Sequence, residues 1–363
     1  MLSKYHFAHQ GRIIALTLLL TLLAGLIGAA PLFAAPPAPD QAAALTWIRS
    51  QQQPDGGFSG GMTAGSDIGT TSEVILAAVA AGEKPTDWRT GDHSPLDYLS
   101  AQVQSGTVVT NAAALSRIIL ATVAVDQDPR NFGGRNLVQD LLQSHTAGNA
   151  QFGDSLYAHS YALLALANAG EPLPEDALNL LLAPRPKENG WAMLGGTADD
   201  SSDTNTTALA IQALVAAGKT DVAHTALPYL HQAQNSDGGF PWQKPSPYGT
   251  DSDANSTAVV LQALNALGEK PADWAPGGIT PLQALENFWN PETKSYRWQA
   301  AVPNPNLIAT AQAIQARNSL SLIQVKPVNN SLPAYAGLVI ILGCISIAAA
   351  GVAYYIRKNP AKK

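Results

Sequence analysis

The sequence predicts an all-α fold, an (α/α)6 toroid of six helix-pair repeats in two concentric rings. Three observations predict it. An apolar frame returns along the chain, in which Thr is followed eleven residues later by Gly: Thr71/Gly82, Thr207/Gly218 and Thr257/Gly268. An amphipathic segment precedes each copy of that frame. A loop of Gly followed by an aromatic joins the two segments, as in "QQQPDGGF" at 51–58.

The elements follow in order from the N-terminus. Lys4 and Arg12 precede an apolar run from Ile13 to Ala34, which closes in "PLFAAPPAPD". Basic, apolar, small, then Pro-rich is the order of a secretory signal, so residues 1–35 are expected to be a signal peptide or an uncleaved signal anchor. At the other end, residues 334–356 carry no charge over 23 positions. At ~1.5 Å per residue that is enough to cross a bilayer core of ~30 Å. Arg357, Lys358, Lys362 and Lys363 follow, and the positive-inside rule puts this 357–363 tail in the cytoplasm. The expectation is a single-pass plasma-membrane protein with residues 36–317 outside the cell and a polar stalk at 318–333. Cys344 is the only cysteine and lies in the expected span, so the exported part has no disulfide and no thiolate metal ligand. A net charge of −6 leaves no footprint for nucleic acid.

The repeats fix the domain. The same frame fits His159/Gly170, and weaker copies begin at Leu115 and Leu307, which sets anchors at 71, 115, 159, 207, 257 and 307. Their spacings of 44, 44, 48, 50 and 50 are too regular for accident. The earlier segments, 42–51, 95–103, 137–145, 175–183, 222–234 and 281–289, place apolar residues at three- and four-residue spacing, which is helical. Pro95 and Pro281 suit the first turn of a helix, and Gly82, Gly170, Gly218 and Gly268 suit a left-handed C-terminal cap. The linker "GEKPTDWRTGDHSPL" (82–96) returns as "GEKPADWAPGGITPL" (268–282). Helices apolar all round must be buried and amphipathic ones can face water. Six inner and six outer helices satisfy both demands.

The loops "QQQPDGGF", "QAQNSDGGFPW" (232–242) and "KENGWAM" (187–193), with fainter "GNAQF" (148–152) and "KSYRW" (294–298), resemble the QW repeats of squalene and oxidosqualene cyclases. With the six-fold period, residues 36–317 look like the α/α-toroid superfamily of terpenoid cyclases, protein prenyltransferase β-subunits, complement thioester domains and cobalamin carriers. The prenyltransferase and thioester branches need a cysteine that the exported part lacks. Class II cyclases use an Asp-x-Asp-Asp-Thr-Ala motif whose middle Asp protonates an alkene. The matching stretch is Asp253-Ala254-Asn255-Ser256-Thr257-Ala258, so an amide replaces the acid. The preceding copy repeats the substitution as Asp203-Thr204-Asn205-Thr206-Thr207, which marks a repeated structural element. Were the chain a cyclase, its acid would be displaced to Asp253, Asp203, Asp199 or Asp200. The run Asp253, Ser256, Thr257, Gln262, Ala263, Leu264 is similar to an inner helix of the cobalamin carriers, with Gln212 and Gln312 in the same register. That similarity implies a binding barrel, without the β domain with which those carriers close on their ligand.

Two readings stand for the polar residues before the inner helices. Asp203, Asn205, Asp253, Asn255 and Asp67 can cap helices, each worth ~1 kcal/mol, or form a polar rim that touches a ligand. His159, Tyr157, Gln212 and Gln262 are further ligand-binding candidates on apolar helices, because buried amides must find partners or face the lumen. Asp251, Asp253 and Asn255 alternate oxygens as a calcium loop does, but Ser256 and Gln262 stand where an EF-hand needs Gly and Glu. No cofactor is expected, with a looser Ca2+ site as the alternative. The functional expectation is non-catalytic: the barrel mouth binds a small-molecule ligand, hydrophobic or corrinoid-like, or a protein partner. The alternative is a squalene-type cyclase or isomerase with a displaced acid.

Overall fold

The structure, a computed structural model, describes residues 38–326 apart from 62–63, 109 and 146–149. The expected signal, membrane span and basic tail lie outside the described residues. Among those described, no helix is long and apolar enough to cross a membrane.

Helices come in pairs along the chain: α1 (Gln41–Ser50) and α2 (Ile68–Ala80), α3 (Pro95–Gln104) and α4 (Ala112–Ala124), α5 (Leu137–Ser144) and α6 (Leu156–Asn168), α7 (Glu175–Leu182) and α8 (Thr204–Ala216). In the fifth repeat the first helix is broken into α9 (Thr220–His224) and α10 (Leu227–Ala233) before α11 (Ala254–Leu267). The sixth pairs α12 (Pro281–Glu286) with α13 (Leu307–Arg317). The second helices form the inner ring. α2 packs on α4, α4 on α6, α6 on α8, α8 on α11, α11 on α13, and α13 returns to α2. That closure makes the domain a toroid of six helix pairs.

Each inner helix opens on a short oxygen side chain. Asp67, Asn111, Ser155, Asp203, Asp253 and Asn306 each accept a hydrogen bond from the N–H three residues on. These caps satisfy donors that a helix start leaves without a partner. Gly82, Gly170, Gly218 and Gly268 end their helices at φ 78°, 73°, 70° and 71°, the left-handed conformation such ends favour.

Counting from the caps shows what the repeated Thr does. Four residues after the cap, the Oγ1 atoms of Thr71, Thr207, Thr257 and Thr310 accept the N–H of Phe58, Trp191, Phe240 and Tyr296 at 2.9–3.0 Å. Those four aromatics are buried, and their carbonyls accept the N–H of the cap residues Asp67, Asp203, Asp253 and Asn306. The inner helix therefore holds the loop aromatic by both of its backbone groups. In the second repeat Leu115 takes the Thr place, and the loop before it has no aromatic to hold. Gln52 and Gln234 span the turn and the next linker, donating to Gly56 O and Trp88 O, and to Gly238 O and Trp274 O. A Cβ on Gly56 or Gly238 would sit 2.4 or 2.3 Å from the Ser94 or Ile279 carbonyl oxygen, so only glycine fits those turns.

Three expectations change. The sixth repeat is anchored at Thr310 rather than Leu307, because Thr310 is the residue four after the cap Asn306 that accepts the loop aromatic's N–H. Gln315, not Gln312, is then the counterpart of Gln212 and Gln262. The loop of the sixth repeat also forms strands in an otherwise helical domain: β1 (Trp289–Asn290), β2 (Ser295–Gln299) and β3 (Val302–Pro305) make one antiparallel sheet in the order β1-β2-β3. Tyr296 points into the core from β2, and Asn290 folds the tight turn by accepting the Glu292 N–H. Residues 318–326, expected in a stalk, pack on the inner ring instead. Leu320, Leu322 and Val325 are buried there, with the Leu322 N–H donating to Gln212 Oε1 at 2.8 Å.

Replacing Thr257 by Val keeps shape and removes the acceptor of the buried Phe240 N–H. The expected loss is about 1–3 kcal/mol in urea unfolding, the cost of an unmade buried hydrogen bond. Thr257→Ser should restore most of it. Equal stability of the Val variant and the wild type would contradict the role given to this threonine.

Candidate functional site

A cavity of about 420 Å3 opens at the mouth of the lumen, among the first two turns of the inner helices. Asp67, Gly69, Thr70 and Glu73 of the α2 end line it, with Arg117 from α4, Tyr157 from α6, and Ile308 and Gln312 from α13. Its volume lies in the range of ~300–1,000 Å3 usual for small-molecule sites. A larger cleft of about 650 Å3, around Asn235, Asp237, Lys244 and Asp251, lies among surface loops. Its polar groups bond one another, Lys244 Nζ to Asn235 Oδ1 and Ser252 Oγ to Asp237 Oδ1.

The floor of the mouth is polar inside an apolar ring. Glu73 is only 7% exposed. Its carboxylate accepts the Tyr161 hydroxyl at 3.2 Å and Gln315 Nε2 at 2.7 Å, and Gln315 Nε2 also reaches the Glu73 carbonyl. Gln262 Nε2 donates to Gln315 Oε1 at 3.2 Å. The chain of bonds links α11, α13, α2 and α6. Burial, and next the Glu73 carboxylate, push the Tyr161 phenol well above its usual pKa, so it remains a donor. The Arg117 guanidinium lies 4.5 Å from the Tyr161 ring centroid and 6.0 Å from that of Tyr157. Both are cation–π distances.

The structure separates the sequence candidates. Tyr157 lines the cavity. Asn255 Nδ2 donates to Gln312 Oε1 at 2.8 Å, a bond between α11 and α13 at the rim. Asp253 and Asp203 are buried caps. Asp253 accepts the Ser256 N–H and hydroxyl, both at 2.8 Å, and Asp203 accepts the Thr206 N–H at 2.7 Å. Asn205 stands beside Thr204, whose hydroxyl reaches its Oδ1. Gln212 and Gln262 serve the C-terminal segment and the Glu73 network. Asp199 pairs with Lys187 on an exposed loop, and Asp200 beside it is exposed too. Neither joins the mouth. Of the residues weighed for calcium, Asp253 bonds Ser256, Asn255 turns its amide nitrogen to Gln312, and Asp251 is exposed. Among the described residues no three His, Cys, Asp or Glu side chains gather as a metal site would require.

His159 holds the loop as Thr does elsewhere. Its Nδ1 accepts the Phe152 N–H at 3.0 Å, so Nε2 carries the proton and donates to Ala177 O at 3.0 Å. Burial lowers its pKa to about 4. A neutral, doubly bonded imidazole has no free nitrogen for a ligand.

Sequence reasoning passed over Glu73, Arg117, Tyr161 and Gln315. The signal was available in "TTSEVIL" and "LSRIIL". The sixth residue after the caps at 67, 111, 155 and 306 is Glu73, Arg117, Tyr161 and Gln312. Four polar or ionisable residues recur at one place on buried helices.

No family model and no curated protein matches the sequence. Solved structures match the fold. Unsaturated glucuronyl hydrolase from Bacillus sp. GL1 is 15% identical, with a TM-score of 0.53 over 76% of this chain and 93% of that one. The type II terpene cyclase MstE from Scytonema is 13% identical, with 0.54 over 78% and 96%. A glycosidase variant is 11% identical, with 0.57 over 78% and 96%. All share the α/α-toroid fold with this chain, and at these identities the likeness is one of fold alone.

The caps carry a pH signature. Burial raises Asp203 and Asp253 from 3.8 to about 6. The folded chain then binds more protons than the unfolded chain between those values. This contribution to stability is full below 3.8 and lost as pH rises through about 6. His159 acts in the opposite sense: its contribution is full above 6.5 and lost as pH falls through about 4. Asp253→Asn keeps a cap and removes one titration. Its stability relative to wild type should improve between pH 4 and 7 by on the order of 3 kcal/mol, since each tenfold change in proton affinity is worth ~1.4 kcal/mol. Parallel stability–pH curves in chemical denaturation would refute the assignment.

Proposed function

We propose that the domain is a binding module, which takes a small ligand into the lumen mouth without transforming it. Residues 334–356 would hold it at the membrane with the toroid outside the cell. The observation that carries the reading is a formed cavity whose carboxylates are already engaged. Asp67 accepts the Gly60 N–H, the Thr70 N–H and the Thr70 hydroxyl. Glu73 accepts Tyr161 and Gln315. General acid catalysis needs a proton aimed at the substrate, and none of these groups offers one. The neighbours in fold include glycosidases and a terpene cyclase, so the toroid alone does not select a chemistry.

One observation favours the second reading, a cyclase with a displaced acid. Asp203 Oδ2 is buried without a hydrogen-bond partner among the described residues. Its raised pKa makes it a weaker acid than alkene protonation demands, and its other oxygen caps α8.

Thermal unfolding of the full chain in detergent, screened against small molecules, tests the proposal. A lumen ligand raises the melting temperature by mass action, is recovered unchanged, and loses its effect in Gly69→Leu, which fills the cavity. A hit that is consumed on incubation, above all squalene converted by wild type and not by Asp203→Asn, would establish the cyclase reading instead. A hit indifferent to Gly69→Leu would move the site out of the lumen.

A further inference from the structure

We infer that the lumenal ligand carries an anionic oxygen group, a carboxylate or a phosphate or sulfate of the same hydrogen-bonding chemistry, and that Arg117 anchors it. The inference rests on the lumen mouth being the binding site.

Arg117 interrupts an apolar inner helix on its second turn. A guanidinium in such a place is costly unless charge and hydrogen bonds compensate it. Among the described residues it joins no ion pair, and its buried Nε has no acceptor. The two tyrosines beside it offer ring faces at cation–π distance, which accept none of its hydrogen bonds in place of an oxygen. Asp67 and Glu73 act on Arg117 only as nearby charges, which favour its ionised form against the cost of burial, while their oxygens bond other protein donors. Space for an acceptor exists beside it. Gly69 lines the cavity, and a Cβ there would come 3.7 Å from Arg117 Nε. Charged donors without a hydrogen-bond partner therefore face a cavity whose carboxylates are bonded to protein donors. A carboxylate or a tetrahedral oxyanion matches such a fork.

Matched acid and amide pairs test the inference. The full chain in detergent is titrated by ligand-observed NMR with benzoate against benzamide and D-glucuronate against D-glucuronamide, with inorganic phosphate and sulfate as separate arms. In wild type each acid that binds is expected to do so about tenfold or more tightly than its amide, the scale of a charge-assisted bond. In Arg117→Gln that ratio falls to about one. Gly69→Ala keeps the guanidinium and narrows the space beside it, at the second residue of α2, where the new Cβ would stand 3.3 Å from Asp67 Oδ1 and 3.7 Å from Arg117 Nε. It should weaken acid binding in a chain that still melts cooperatively, which keeps the test valid if Arg117→Gln folds poorly. Binding of phosphate or sulfate with the same dependence on Arg117 supports the anchor and assigns the tetrahedral group. Equal affinity for acid and amide in wild type, or an acid preference that survives Arg117→Gln, overturns the anion inference and leaves lumen binding standing. If no probe binds, or if all binding survives Gly69→Leu, the lumen reading falls and this inference falls with it.

Discussion

A carboxylate buried in the middle of an apolar helical ring has to be solvated by the protein, and Glu73 sets that requirement here. It is met from two sides, by the Tyr161 hydroxyl on α6 and by the Gln315 amide on α13. Gln315 in turn takes the Gln262 amide from α11. One buried charge thus ties four of the six inner helices across the lumen. Removing a single partner would leave a desolvated polar group, which costs more than the bond itself contributes. The same bonds fix the Tyr161 ring, and that ring is the platform under Arg117. The shape and polarity of the mouth follow from this one constraint.

The ring around it is held by a second, repeated device. A threonine one turn into the inner helix accepts the N–H of a buried loop aromatic, and the cap residue donates to that aromatic's carbonyl. His159 performs the same task with an imidazole nitrogen. Where the loop lacks an aromatic, Leu115 replaces the threonine. The polar starts of the inner helices are therefore mostly structural. Asp203 and Asp253 are capping groups, and the chemistry of the mouth passes to residues one turn deeper.

Much of the fold is legible in the sequence because its signals are local. The Thr-to-Gly frame records helix length, and the Gly-aromatic loops record where each pair turns. What is not legible depends on ring closure. Glu73 and Arg117 look like isolated interruptions of apolar runs until the caps are aligned and both fall on the sixth position. The Gln register slips in the last repeat because the anchor there is Thr310, after a loop that carries a small sheet. "KSYRW" carries too short an alternation to announce a strand. His159 reads as a ligand candidate because a sequence cannot show that both of its nitrogens are bonded. The packing of 318–326 on the inner ring is hidden by its polar composition, since three apolar residues supply the contact.

Toroids of this kind house different chemistries in fold neighbours described as glycosidases and as a terpene cyclase. Here the distinguishing feature is an arginine with unspent donors beside carboxylates that are already satisfied. The most direct measurement is the 15N–1H resonance of the Arg117 Nε group, assigned by its loss in Arg117→Gln and followed while the tightest-binding acid is titrated. The account predicts a saturable downfield shift and slowed solvent exchange at that one guanidinium. An acid that binds and leaves the Arg117 resonance unmoved would contradict it.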